Sequence, residues 1–214
     1  MPLLQVIRGL GAGFANGTSP PAALTTLAHQ VVTEFIQAQL LDGRGYQVRN
    51  LGTITSPSTG DVDITDTDAE MCADAASGTT IIPFEFSGHL ESLNGGTVPE
   101  VHAKSVTVVS NAGTAFTPLP LKTDGSAAVS TARSQAAGAT QVPAELSTNT
   151  THHFSWLQAT VGTGENRWLW EPLRAPVLAG ARCFYIQIAG ATAGPLYFAR
   201  FNYIEGPTLL YTPS

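Results

Sequence analysis

From Gly43 to Glu205 the chain is a succession of short runs rich in Val, Ile, Thr, Phe and Tyr. Each run is bounded by Gly, Pro, Asn or Asp. Runs of four to ten such residues between turn formers read as β-strands, whose side chains alternate between two faces. The pattern predicts strands over Gly45–Ile54, Glu70–Ala75, Thr80–Ser87, Val101–Ser110, Phe116–Leu121, His153–Val161, Arg167–Glu171, Ala181–Ala189 and Leu196–Glu205. In Ala181–Ala189, Phe184, Ile186 and Ile188 share a face. In Leu196–Glu205, Tyr197, Ala199, Phe201 and Tyr203 face one way while Arg200 and Asn202 face the other. The glycine-containing segment between these two runs, Gly190 to Pro195, predicts a terminal hairpin. So many short strands with irregular connections predict a mainly β chain, an antiparallel β-sandwich of jelly-roll type. No repeat at a fixed period is visible, which disfavours solenoids and propellers.

Before the strands lies one helical pattern. Ser19 caps it, Pro20 takes the first helical position, and Leu24, Leu27, Ala28, Val31, Phe35 and Ala38 recur at three- and four-residue steps. Val32, Ile36 and Leu40 widen the apolar stripe, which predicts burial on several sides, and Asp42-Gly43 supplies the stop. His29 and Glu34 are its only titrating groups, too few for a metal site built between helices. Residues 1–17 are apolar and glycine-rich without helical period. They either pack on the chain's own core or form an arm exchanged with a neighbouring subunit. At 214 residues the chain suits one well-buried domain with an appendage: an N-terminal arm and helix over 1–42 and a β-sandwich domain over 43–214. The longest stretch without strand patterning, 122–149, reads as a loop that touches a partner or as a mobile tip, with a short helix over Ala127–Ala137 as the alternative.

Charge narrows the function. Only 12% of residues are charged, against about 25% in an average domain. Thr, Ser, Ala and Gly take the place of the missing ions, and Lys occurs only at Lys104 and Lys122. Charged side chains are costly to desolvate and are depleted at interface centres, so such a surface suits repeated protein–protein burial. A secreted domain with a neutral Thr/Ser face is the alternative. Net charge is −6, and Arg8, Arg44, Arg49, Arg133, Arg167, Arg174, Arg182 and Arg200 are scattered singly. No basic stripe exists to neutralise phosphates, so direct nucleic-acid binding is not expected. No run approaches the ~18 apolar residues of a membrane span, and no secretory signal is evident.

Candidates for chemistry are few. Asp61, Asp63, Asp66, Asp68, Glu70 and Asp74 cluster in sequence, as calcium ligands do, but the helix–loop–helix calcium pattern fails: its glycine position is Asp66 and its final glutamate position is Cys72. A solvated acidic turn is the main reading, and a non-standard calcium loop at a subunit junction the lesser one. Cys72 and Cys183 are too few for a disulfide framework and too far apart in sequence for a metal knuckle, so free thiols are expected. His152 and His153 would point to opposite faces of a strand and not chelate one ion. His89 and His102 belong to different strands. No nucleophile elbow, phosphate-cradling loop or paired zinc histidines occur. Glu85, Glu91, Glu100, Glu165, Glu171 and Glu205 include no pair that stands out for glycoside hydrolysis. Trp168 and Trp170 share a face and either anchor the core or an interface, or stack on a sugar. No catalytic residue, metal ligand or cofactor is assigned, and the chain reads as non-enzymatic. An enzyme site assembled from residues scattered along the chain is the remaining alternative.

Three stretches, the helix leading into LLDGRGYQVRNLGTITSP, the strand TTIIPFEFSG and the ending WEPLRAPVLAGARCFYIQIAGATAGPLYFARFNYIEG, give the chain a layout that resembles tailed-bacteriophage virion structural proteins. The resemblance covers most of residues 30–206 and is one of pattern. It implies a structural virion protein: a capsid decoration or cementing protein, a jelly-roll capsid subunit or a spike base. Such a protein is assembled in the host cytoplasm, forms homotrimers and contacts other virion proteins such as the major capsid protein. The lack of a basic arm departs from capsid subunits that package genomes directly. A carbohydrate- or receptor-binding adhesin module of the virion is the alternative.

Overall fold

The structure, a computed structural model, describes residues 35–50, 57–64, 69–94, 97–134, 150–157 and 166–208. Residues 1–17, the helix start at Ser19–Glu34, Asp66 and Asp68, the strand ends expected over 51–54 and 158–161, and residues 135–149 lie outside these.

The helical pattern ends as α1 (Phe35–Leu41). Gly43 stops it with φ of 76°, a conformation glycine adopts freely. The N–H of Gly43 bonds the Leu40 carbonyl and that of Arg44 the Gln39 carbonyl, the paired bonds of a Schellman cap. The expected burial on several sides does not hold over Phe35–Leu41. Phe35 and Leu41 are exposed and Gln39 is the buried residue. Leu40 packs over Gly45, where a Cβ would lie 2.1 Å from its side chain, so this last part of the helix meets the sandwich along one side only.

Thirteen strands follow among the described residues: β1 (Gly45–Arg49), β2 (Ser58–Thr59), β3 (Met71–Ala75), β4 (Thr79–Ser92), β5 (Thr97–Val106), β6 (Thr114–Phe116), β7 (Leu119–Pro120), β8 (Thr131–Ser134), β9 (Thr151–Leu157), β10 (Arg167–Trp170), β11 (Leu178–Ala179), β12 (Arg182–Ala191) and β13 (Leu196–Pro207). They form two antiparallel sheets. The first runs β10-β4-β13-β1-β7, with β11 beside β4 and β2 beside β13; the second runs β6-β8-β3-β12-β5-β9. Four long-range ladders give the rule of the fold: β1 with β13, β3 with β12, β4 with β10 and β5 with β9. The described strands thus pair from the outside inward, first with last, while successive pairs alternate between sheets. That is the jelly roll.

The core lies between the sheets. Tyr46, Val48, Phe86, Leu90, Tyr197, Phe201 and Tyr203 of the first sheet meet Met71, Ala73, Val101, Ala103, Phe184, Ile186 and Ile188 of the second. Phe184 and Phe201 touch edge to face across it, with ring centroids 5.2 Å apart.

The expected terminal hairpin is not formed. β12 pairs with β3 and β5, whereas β13 pairs with β1, β2 and β4. Gly190–Pro195 is a corner that carries the chain from one sheet to the other. Side-by-side pairing would have put both aromatic faces on one surface; crossing over stacks them against each other and removes both from water. The run Phe116–Leu121 also divides. Proline lacks the N–H a ladder needs, and Pro118 separates β6 in the second sheet from β7 in the first. Within 122–149 the described part holds no helix at Ala127–Ser134; Thr131–Ser134 is β8, laid between β3 and β6. Its approach is pinned by Glu205, whose carboxylate accepts the N–H groups of Val129 and Ser130 at 2.7 and 2.8 Å.

Candidate functional site

Of the described acidic residues grouped in sequence, Asp61 and Glu70 lie close together and Asp74 lies apart from them. Glu70 is buried and accepts the Ile188 N–H at 2.7 Å. Burial, and next the charge of Asp61, push its carboxyl well above the ordinary value. Asp74 lies elsewhere on the second sheet, accepting the N–H of Ser110 at 2.8 Å and the Ser110 hydroxyl, with Arg133 at 3.7 Å. Burial raises its value too, against those hydrogen bonds. Asp63 sits in an exposed bend. Among the described residues, no three of Asp61, Asp63, Glu70 and Asp74 bring ligand atoms within reach of one ion.

Asp74 instead meets both cysteines. Cys72, Asp74 and Cys183 are buried, with their potential ligand atoms within 4.8 Å of one another. The register explains this. Cys72 stands opposite Tyr185 and Cys183 opposite Asp74, so the two thiols are diagonal neighbours on adjacent strands. Both are free. Burial, and then Cys72, hold the Cys183 thiol well above its ordinary value. It is protonated and a poor nucleophile. For a cation the set fits badly: it offers three ligands, and its one carboxylate is already engaged by Ser110 and faces a guanidinium.

His152 and His153 do point apart, and His153, the extra residue where β9 shifts register against β5, faces the core rings of Trp170 and Phe184. His152 meets the ring of His102, and His153 bonds the Ser105 hydroxyl at 2.8 Å. Burial, with the neighbouring His152, lowers the His153 value, so it is neutral near pH 7. His89 and His102 lie on different sheets. Trp168 is buried in the core at 4% exposure and Trp170 stacks on Phe184 at 5.9 Å. Neither forms an exposed sugar platform; the core reading of the two rings holds.

What the sequence scattered, the first sheet collects. On its outer face, Arg49 of β1 stands directly opposite Arg200 of β13, and Arg200 opposite Ser87 of β4. One row over, Phe198, His89 and Arg167 stand in line across β13, β4 and β10. These residues line a groove of about 850 Å³, together with Gln47, Asn50, Gly88, Trp168, Leu169 and Ala199. Trp168 reaches the floor from the inner side because Gly88 leaves room; a Cβ there would lie 2.4 Å from its ring. Like charges directly opposite on neighbouring strands destabilise a sheet, and among the described residues only Arg200 of this pair has an acidic neighbour, Glu85 at 3.7 Å. That carboxylate also accepts from Ser87 and from Asn202. The Nε of Arg49 and the Nε1 of Trp168 are buried without a hydrogen-bond partner. Leaving such groups unpaired is costly. The single arginines of the sequence carried one usable signal, that Arg49, Arg167 and Arg200 each hold an outward position of a strand. Their convergence depends on the pairing of the first strand with the last.

No family profile, curated protein or solved structure matches this chain.

Proposed function

We infer that the chain is a non-enzymatic structural protein of a virion, which assembles with itself as a trimer and with neighbouring capsid or tail proteins. The observation that carries this reading is apolar surface on a low-charge jelly roll. In the segment between β10 and β11, Leu173 and Val177 are 105% and 56% exposed. Pro172 and Pro176 interrupt the backbone hydrogen bonding there. A side chain as large as Leu173 held fully in water gains nothing for the isolated fold, whereas burial in an interface would stabilise it by about 1.5–3 kcal/mol. Phe35 and Leu41 of α1 extend the same argument to the N-terminal side. The jelly roll supports the reading because virus capsid domains use it; lectin domains use it too, so fold alone does not carry function.

The test is size-exclusion chromatography with light scattering on the full chain. A trimer is expected, and Leu173→Asp should shift it toward monomer while leaving the circular-dichroism spectrum unchanged. A chain that stays monomeric at about 100 μM, a concentration at which even weak interfaces associate, overturns the proposal.

A further inference from the structure

We propose that the groove on the outer face of the first sheet binds an acidic saccharide through a sugar carboxylate seated on Arg49 and Arg200. Three features of the groove carry this. First, Arg49 and Arg200 are cross-strand neighbours, so their side chains rise side by side. A planar carboxylate between two guanidinium groups can receive parallel N–H bonds from each and cancels their repulsion. Second, the Nε of Arg49 has no hydrogen-bond partner among the described residues, so no protein acceptor holds the guanidinium through that nitrogen in place of a carboxylate. Third, the groove continues past that pair. Arg167 lies two strands and one row away, roughly 12 Å from Arg200 by strand spacing and rise, with His89 and Phe198 in between. That span fits two or three sugar rings. Phe198 and Leu169 offer apolar surface to ring faces, and Gln47 and Ser87 offer polar groups for hydroxyls.

The same layout disfavours a nucleic acid. A single strand carries one charge every 3.4 Å or so, whereas the groove has its paired arginines at one end and one arginine at the other. Glu85 and Glu91 flank it, beside Arg200 and His89 respectively. One or two negative charges fit; a continuous run of them meets carboxylates. The inference does not depend on the oligomeric state of the chain.

Calorimetric titration of the full chain with digalacturonate, with 3′-sialyllactose and with lactose tests it. Binding of either acidic sugar without comparable binding of lactose is expected, and which of the two binds tells a uronic from a sialic carboxylate. Arg49→Gln and Arg167→Gln should each weaken that binding about tenfold, the scale of one charge-assisted hydrogen bond. Arg182→Gln, outside the groove, should leave it unchanged. Without sugar, Arg49→Gln should melt at or above the parent temperature, because it removes a like-charge contact. Equal affinity for lactose, or unchanged affinity in both groove variants, overturns the proposal. So does a preference for inorganic phosphate or a single-stranded oligonucleotide, binding of neither acidic sugar, or a lowered Tm for Arg49→Gln that marks the arginine as part of the fold.

Discussion

The outer faces of the two sheets obey the same alternation and end in opposite conditions. On the first, outward positions carry Gln47, Arg49, Ser87, His89, Arg167 and Arg200, which leave an open polar groove. On the second, the outward positions of β3 and β12 carry Cys72, Cys183 and Tyr185, which are buried with Ala69 and Val106 in a small core of their own. Gln187, next along β12 on that face, is buried as well. A strand's outward residues are therefore not a surface by definition. Where they are small or apolar and neighbouring backbone covers them, they add stability. Where they are cationic and like-charged they detract from it, and their use has to lie in what they hold.

The sharpest way to break this contrast is to truncate one residue on each face. Tyr185→Ala removes a fully buried ring and should cost about 3–5 kcal/mol, as for a residue of the main core. Arg200→Ala should stay within about 0.5 kcal/mol. Urea denaturation reads both, and equal costs would abolish the distinction. Glu205→Ala comes next. It strands the N–H of Val129 and the buried N–H of Ser130 and should cost about 2 kcal/mol, with faster amide exchange at those two positions. Conservative Glu205→Gln keeps one acceptor and should recover part of the loss.

A smaller effect belongs to Glu70. Its folded value is raised, so the native state holds a proton that the unfolded chain releases. That contribution to stability is fully present below the ordinary glutamate value and is lost as pH rises through the raised one. Asp61 and Tyr197 face the same site. Urea midpoints across about pH 5 to 9 should fall with pH in that window, and Glu70→Gln should flatten the slope. A slope unchanged by the substitution would remove Glu70 as its source.

The strands themselves were legible. Each of the nine expected runs overlaps an observed strand, because alternation and turn residues are local signals and local propensity agreed with the fold. The three unforeseen strands, β2, β8 and β11, have two to four residues. Pieces that short have no periodicity of their own and exist because a longer neighbour offers an edge. The Cys72–Asp74–Cys183 contact joins positions more than a hundred residues apart and left no mark along the chain.

Sequence alone determined that this protein is mainly β, which faces of its last two long strands are apolar, that a glycine stops the helix at residue 43, and that the chain is poor in ionic groups. All of these follow from side-chain chemistry within a few residues. Which strand lies beside which was decided only in three dimensions. Two aromatic faces joined by a short loop can pair edge to edge or stack face to face, and the loop permits both. Burial of both faces favours stacking, which places the last strand beside the first and brings Arg49 and Arg200 together.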